Sequence, residues 1–338
     1  MFGLTKYTME SDTSKTDEAK DILTNELFDY IKTQNNFGVV QTIQKGADVN
    51  AIDDKGISPL LYVCGLSNVE LAKTLLNHGA NIDTSISKEG DNCLMLASCM
   101  GCLDIVKMLL NKGAKINEKN KKGINALMYA SKSGHSVVAQ ELITAGIDKN
   151  AIDNEGSTAF VFASGYGQTN VIEILLEEGF DIDSTDKYGE TSLMFACEKN
   201  HPETVELLLN KGANKDLQDE NGYTALMFAC EKGHKNLVTK LVDAGANKHI
   251  KNKVNCDALD IVCGNGHAHC LIPLISILSA NETQTMRAIL RESDMSDSTI
   301  IQTIIDVRTS SAMSSIFSEL ISEPLDLGDE NESDNDDN

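Results

Sequence analysis

One stretch of the chain carries residues whose types and spacing could bind a transition metal. Cys263, His267, His269 and Cys270 fall within eight residues, and thiolate and imidazole groups are ligands that zinc prefers. However, the chain consists of repeated units, and histidine recurs in other units at the position that His267 occupies in its own. The other histidines at that position are His135, His201 and His234. Cys263 occupies another recurring position, one that requires a small residue. His269 and Cys270 are thus left without a framework, and the sequence predicts no metal site.

Two further motifs could support redox or phosphate chemistry. Cys99 and Cys102 form a C-x-x-C pair, but a zinc ribbon needs a second pair and a thioredoxin-like site needs a preceding strand. Gly165 and Gly167 flank Tyr166, but the Gly-Lys-Ser/Thr of a phosphate-binding loop does not follow. The sequence has no H-E-x-x-H or G-x-S-x-G motif, and its carboxylates fall in polar turns. We therefore predict a protein that is not an enzyme and has no catalytic residues, cofactor, metal or small-molecule substrate.

The elements that would position these residues are copies of one unit. The stretch that begins at Gly189 returns almost unchanged at Gly222, 33 residues later. The same marker position recurs at intervals of 33, except for a first interval that is one residue longer. The markers are Gly56, Gly90, Gly123, Gly156, Gly189, Gly222 and Asn255. A fixed period of this length predicts a solenoid, in which each unit buries its apolar face only by stacking on its neighbours.

Each unit is predicted to contain a turn, a short helix, a second turn, a longer helix and a loop. A helix-capping side chain follows each marker by two residues, and a glycine or asparagine that ends the first helix follows most markers by eleven. Val205, Leu208 and Leu209 illustrate the helical spacing of the second segment. The predicted caps are Ser58, Asn92, Asn125, Thr158, Thr191, Thr224 and Asp257.

In this unit the chain resembles the ankyrin-repeat family. The resemblance covers about residues 21–279 and is specific, because it depends on some seven copies in register. The family's Thr-Pro-Leu-His signature appears here mostly as Thr-Ala-Leu-Met or a relative of it, and only Pro59 keeps the proline. The resemblance implies an all-α ankyrin-repeat solenoid with helical N- and C-terminal caps, and a concave surface that binds other proteins.

The register of the repeats divides the chain into segments. Residues 21–279 are the predicted array. In chain order the predicted segments are a disordered polar tail (1–20), an N-terminal capping unit (21–52), six full repeats (53–252), a degenerate repeat (253–279), a helical C-terminal cap (280–323) and a disordered acidic tail (324–338). In the acidic tail, Ser333 resembles a phosphorylation site for an acid-directed kinase. The segment 281–323 could instead be an amphipathic segment that docks to a partner.

Charge and composition exclude several classes of partner. The formal net charge of −22 disfavours binding to nucleic acid or to anionic membranes. Residues 1–20 lack the apolar core of a signal peptide, and the mainly apolar run 271–278 is too short to cross a bilayer. We therefore predict an intracellular protein, cytoplasmic or nuclear. Four cysteines at one small-residue position fit buried free thiols in a reducing compartment. They are Cys64, Cys197, Cys230 and Cys263.

The residues that stacking does not require form the candidate binding face. They lie next to the marker or nine to ten residues after it, and several are apolar or aromatic, as in interface hot spots. The candidate partner-binding residues are Ile57, Leu66, Met100, Ile124, Tyr166, Tyr188 and Tyr223. A row of methionines beside them could join this face or pack in the core, and core packing is favoured. The row is Met95, Met128, Met194 and Met227.

These observations predict an adaptor or inhibitor that binds a protein partner through the concave face and is monomeric on its own. The alternative is a substrate-recruiting subunit of a larger enzyme complex, such as a ubiquitin ligase, that docks through residues 281–323. That segment shows no clear F-box or SOCS-box pattern, so the alternative ranks second.

Overall fold

The structure, a computed structural model, describes residues 10–83 and 89–275. Two helices come first, α1 (Glu10–Lys32) and α2 (Asn36–Gln44). Pairs of helices then follow in chain order: α3 (Pro59–Leu66) with α4 (Val69–Asn77), α5 (Cys93–Cys99) with α6 (Leu103–Asn111), α7 (Ala126–Ser133) with α8 (Ser136–Thr144), α9 (Ala159–Gly165) with α10 (Thr169–Glu177), α11 (Ser192–Glu198) with α12 (Pro202–Asn210), α13 (Ala225–Glu231) with α14 (Lys235–Asp243), and α15 (Ala258–Asn265) with α16 (Leu271–Ile275).

The helix pairs stack in two layers. Each first helix packs on the first helix of the next repeat, from α3 through α15, and the second helices from α4 through α14 pack on one another in the same way. Between residues 10 and 275, apart from the short undescribed loop, the structure has no strand, only an isolated bridge between Thr185 and Thr191. The predicted all-α solenoid is therefore confirmed. No helix within these residues is long and apolar enough to span a bilayer.

The first helix starts earlier than the sequence suggested. We expected a disordered tail up to residue 20 and a helix from about Asp21, but α1 begins at Glu10. The prediction treated low apolar content as evidence for disorder. Leu27 and Ile31 are fully buried in the second half of α1, and a packed segment of this kind provides the costly helix nucleus. Once this nucleus exists, each further residue adds one backbone hydrogen bond, so the helix can extend toward Glu10.

Several predictions concern residues outside the described part of the chain. They are the C-terminal helical cap (280–323), the docking segment (281–323), the acidic tail (324–338) and Ser333. Within the described part, the last repeat differs from the others. Its second helix is a 3₁₀ turn at Ala268–Cys270 followed by the short α16, which contains Pro273.

The predicted caps begin the first helices. Asn125, for example, accepts a hydrogen bond through Oδ1 from the backbone N–H of Met128 at 2.9 Å. All seven predicted cap residues accept such a bond from a backbone N–H in the first turn of their helix. The predicted left-handed turns are also present, because Gly134 at the end of α7 has φ +79° and Asn200 after α11 has φ +60°. Local chain chemistry thus sets the limits of each first helix.

Hairpin loops before the first helices are joined into a continuous row. From the tip at Gly123 onward, a backbone N–H group at each tip donates to a carbonyl of the preceding tip, as from Asn154 to Lys122 at 3.0 Å and from Lys187 to Glu155 at 3.1 Å. Inside the tips other than the one at Gly90, an Asp or Asn three residues before the marker accepts two backbone hydrogen bonds, as Asp186 does from Tyr188 and Glu190. The tips are therefore fixed relative to one another.

The small-residue position eight after each marker is buried in the core. Cys64, Cys197 and Cys230 are fully buried free thiols, whereas Cys263 in the last repeat is only partly buried. Other repeats have serine at this position, and these serine hydroxyls are fully buried without a hydrogen-bond partner. They are Ser98, Ser131 and Ser164. A buried hydroxyl without a partner destabilises the fold.

We expect Ser131→Cys to raise the free energy of unfolding by about 1 kcal/mol, because a thiol loses less hydration than a hydroxyl on burial. The chain itself shows that this position accepts a thiol, at Cys197 and Cys230. Urea denaturation followed by circular dichroism measures the change. Ser131→Ala separates loss of the hydroxyl from gain of sulfur packing, and a destabilised Ser131→Cys protein contradicts the argument.

Candidate protein-binding face

The hairpin tips and the exposed side of the first helices form one surface, which we call the first-helix face. A large side chain follows each of the six glycine markers by six residues on this surface, and it is half-buried between neighbouring repeats. This aromatic row consists of Tyr62, Tyr129, Phe162, Phe195 and Phe228, with Leu96 at the equivalent position of the second repeat. The predicted binding residues do not include this row, although the recurrence of a large residue at this position in every glycine-marked repeat was a usable signal.

The predicted partner-binding residues separate into two groups. The exposed fractions of four side chains are large: 37% for Leu66, 48% for Met100, 50% for Tyr166 and 46% for Tyr188. The other three pack against the core from the hairpins and are half-buried. These are Ile57, Ile124 and Tyr223. Exposed aromatic residues can anchor a partner, whereas residues packed on the core mainly hold the hairpins in place.

Tyr166 lies beside an apolar cavity between two repeats. The cavity has a volume of about 270 Å³, and α9 and α11 provide most of its walls. Its lining residues are Ser157, Val161, Phe162, Gly165, Tyr166, Phe195 and Lys199. Sites for small molecules usually measure about 300–1,000 Å³. The cavity is therefore better matched to one apolar side chain of a partner than to a whole small molecule.

Tyr188 is held in place at its hairpin tip. Its hydroxyl donates a hydrogen bond to Glu155 Oε2 at 2.8 Å, and Lys187 Nζ lies 4.9 Å from the centre of its ring. Lys187 also forms an ion pair with Glu155 at 2.7 Å, and this contact is the main reason that the pKa of Glu155 is lowered. A side chain fixed before binding loses less conformational entropy when a partner docks.

The methionine row belongs to the core. Met95, Met128, Met194 and Met227 are at most 2% exposed. The favoured interpretation of core packing is thus confirmed, and these residues are not available to a partner on this face.

The recurring histidines connect neighbouring repeats. Nε2 of His135 lies 3.0 Å from the carbonyl oxygen of Cys99, and Nε2 of His201 lies 3.0 Å from that of Gly165. Because a carbonyl only accepts, Nε2 of each ring carries the proton. His269 bonds to the Gly233 carbonyl at 2.9 Å. The described residues include no group of three or more His, Cys, Asp or Glu side chains placed to hold a metal ion.

Two tyrosines of the aromatic row bind carboxylates near the hairpins. The Tyr62 hydroxyl donates to Asp53 Oδ2 at 2.8 Å, and this hydrogen bond is the main cause that raises the pKa of Tyr62 to about 12. The Tyr129 hydroxyl donates to Asp91 Oδ1 at 2.8 Å, and burial together with this bond raises its pKa. Both hydroxyls therefore remain protonated donors at neutral pH, and each adds a hydrogen bond to a carboxylate that also accepts from other groups.

Comparison with known proteins agrees with this architecture. The family model for ankyrin repeats matches residues 27–120, 115–186 and 167–252. The chain is 35% identical over 83 residues to a mouse (Mus musculus) B-cell lymphoma 3 protein homolog, over 24% of this chain and 18% of that protein. It is 37% identical over 81 residues to the ankyrin repeat protein OPG189 of variola virus, over 23% of this chain and 14% of that protein. The matches thus span less than a fifth of either relative.

A solved structure shows the same fold. The crystal structure of the human ASB11 ankyrin repeat domain aligns with a TM-score of 0.57 and 24% identity, and the alignment covers 70% of this chain and 99% of that domain. The stacked helix pairs, the glycine-ended helices and the matched family model agree with one another. This chain belongs to the ankyrin-repeat family.

Proposed function

We propose that this protein is a non-catalytic adaptor or inhibitor that binds a partner protein through its first-helix face and is monomeric on its own. Ankyrin repeats are a protein–protein interaction module, and the fold is typically not catalytic. The observation that carries the proposal is the aromatic row with the apolar cavity beside Tyr166, on a scaffold whose hairpin tips are joined by hydrogen bonds. The alternative docking segment, 281–323, lies outside the described residues, and no observation favours it.

A variant of this face is expected to lose its partner. In Tyr166→Ala/Phe195→Ala, both substitutions remove ring area from the walls of the cavity. Hot-spot aromatic residues contribute about 2 kcal/mol each to binding, so the loss of both should weaken the affinity about 1,000-fold. Affinity capture with mass spectrometry identifies the partner, and isothermal titration calorimetry with the purified partner gives the Kd of each variant.

Matched control variants remove exposed apolar side chains at sites away from the proposed binding face. Phe37→Ala and Val137→Ala remove side chains that are 71% and 63% exposed on α2 and α8, away from the first-helix face. These variants should bind the partner as the native protein does, and all variants should keep native helical circular dichroism. A partner that binds the Tyr166 and Phe195 variant with an unchanged Kd removes this face from the proposal.

A further inference from the structure

Asp91 shows how a carboxylate next to a marker is satisfied within the array. It is 8% exposed, and its Oδ1 accepts hydrogen bonds from Asn120 Nδ2 and from the Tyr129 hydroxyl, both at 2.8 Å. Both donors belong to the next repeat, Asn120 three residues before its marker and Tyr129 six residues after it. The buried acid therefore has two donors from within the chain.

Three repeats further along, the same three positions hold different residues. The acid is Glu190, but the two donor positions are occupied by Asp219 and Phe228. A carboxylate replaces the amide that would donate, and a phenyl ring replaces the phenol. In the part of the chain that the structure describes, no group donates a hydrogen bond to the carboxylate of Glu190. The positions whose residues donate hydrogen bonds to Asp91 thus hold no donor for Glu190.

The surroundings of Glu190 are also rich in negative charge. Its pKa is raised to about 7, first by burial and then by repulsion from nearby carboxylates. These are Asp186, Glu198 and Asp219. One cation, Lys199, lies within reach, but its Nζ forms an ion pair with Glu198 at 3.2 Å. Lys232 Nζ also lies 4.0 Å from Glu198 Oε1, so Glu198 is neutralised. By contrast, no ion pair within the described residues involves Glu190, Asp186 or Asp219.

Asp219 adds a second carboxylate close enough to Glu190 to raise its pKa. It is 8% exposed, and its Oδ1 accepts the backbone N–H groups of Asn221 and Tyr223 at 2.8 and 2.7 Å. No group in the described residues donates to its other oxygen. Asn120 occupies the same position in its own repeat, where the equivalent atom is Nδ2, which donates a hydrogen bond to Asp91. Within the described residues the other Asp219 oxygen is not among the buried polar atoms that lack a partner, so it remains accessible to solvent or to a ligand group.

The apolar cavity adjoins this acidic region. Lys199 lines the cavity beside Tyr166 and also lies within electrostatic reach of Glu190. Phe195 lines the cavity, and Phe228 occupies the equivalent position on the next helix. An aromatic surface, an apolar cavity and unneutralised carboxylates therefore occur together on the first-helix face. A guanidinium group suits such a place, since its planar donors match carboxylates and its face stacks on aromatic rings.

We propose that Glu190, Asp219 and Phe228 form an arginine-binding site, which we call the Glu190 site, for a segment of the partner protein that also places an apolar side chain in the cavity beside Tyr166. The guanidinium supplies the donors that Asn120 and Tyr129 supply to Asp91. This inference rests on the proposed function and specifies the chemistry of the partner: a segment with arginine close to an apolar residue.

The test uses random short peptides displayed on phage and selected against the full chain. Selected peptides are expected to carry arginine near Leu, Met or Phe. With a synthetic selected peptide, Glu190→Gln should weaken binding about tenfold, as loss of one charge-assisted contact predicts. Replacing the peptide arginine by glutamine should cause a similar loss. Glu177→Gln, an exposed acid on α10, is the matched control and should bind as the native chain does.

A second variant, which we call the closed variant, supplies the missing hydrogen-bond donors from the chain itself. Asp219→Asn/Phe228→Tyr copies the donors of Asn120 and Tyr129 to the Glu190 site, and Asn120 itself shows that asparagine keeps the two backbone contacts of the hairpin. This variant should unfold at a higher temperature than the native chain, yet bind the peptide about tenfold more weakly. Opposite changes in stability and affinity exclude simple unfolding as the cause of lost binding.

Affinity for the peptide should also depend on pH. With a pKa of about 7, Glu190 becomes neutral as the pH falls through 7, and a neutral carboxyl no longer attracts the guanidinium. The groups that face it are Asp186, Glu198, Asp219 and Lys199. The Kd should therefore rise below neutral pH in the native chain and remain nearly constant in Glu190→Gln.

The outcomes separate this inference from the proposed function. Peptides that lack arginine, or that bind Glu190→Gln and the closed variant with native affinity, overturn the Glu190 site but leave the face intact if Tyr166→Ala/Phe195→Ala still abolishes binding. Peptides that are indifferent to both sets of variants overturn the site and the face together, as does a selection that enriches no peptide.

Discussion

Gly156→Ala should lower the free energy of unfolding by about 3 kcal/mol. Gly156 has φ +83°, a left-handed conformation in which a Cβ atom costs about 1–2 kcal/mol. A Cβ at this position would also lie 2.6 Å from the backbone N of Lys187 in the next hairpin. That N–H donates to the Glu155 carbonyl at 3.1 Å, so the hairpins must separate and lose this hydrogen bond. Urea denaturation monitored by circular dichroism measures the change.

The chain provides a control for the left-handed conformation alone. Gly146 has φ +87°, and a Cβ there would meet no atom within 4 Å. Gly146→Ala should therefore cost only about 1 kcal/mol. The difference between the two variants measures the close approach of neighbouring hairpins, and equal destabilisation contradicts this account. Because Tyr188 lies on the displaced hairpin, Gly156→Ala should weaken partner binding as well.

Phe160→Ala should destabilise the protein by about 3–5 kcal/mol, the usual cost of removing a buried phenyl ring. Phe160 is fully buried, and its ring stacks on that of Phe180 with 6.4 Å between centroids and 25° between planes. Other repeats combine a smaller pair at these positions, such as Leu193 with Ala213. This repeat therefore depends on two rings that fill one space, and thermal or urea unfolding of the variant measures the loss.

A double-mutant cycle checks whether the rings act together. Phe180→Ala alone, Phe160→Ala alone and the double variant should show a coupling of about 0.5–1.5 kcal/mol, as aromatic pairs do. Phe160→Leu keeps most of the apolar volume and should cost less than Phe160→Ala. Additive effects of the two alanine substitutions indicate that the rings pack independently, against the expectation.

The sequence predicted a set of positions for the candidate face, but not how exposed the side chain at each position is. The sequence identified Tyr166 and Tyr188, which are exposed, but it also included Ile57 and Ile124, which pack on the core. It missed Phe195, because periodicity shows that a helix has an apolar side without showing how deeply each residue on that side is covered. The depth is set by the neighbouring repeat, whose side chains are distant in sequence.

The sequence by itself determined the repeat, the limits of the first helix of each repeat and the stacking positions. Capping by Asn125 and the left-handed turn at Gly134 depend on hydrogen bonds and steric contacts among residues a few positions apart, so the local sequence is sufficient. Only the tertiary structure decided which side chains find partners within the chain and which remain available to bind another molecule. Asp91 and Glu190 occupy the same place in their repeats, yet one is satisfied and the other is not, because their donors come from the next repeat across the stack.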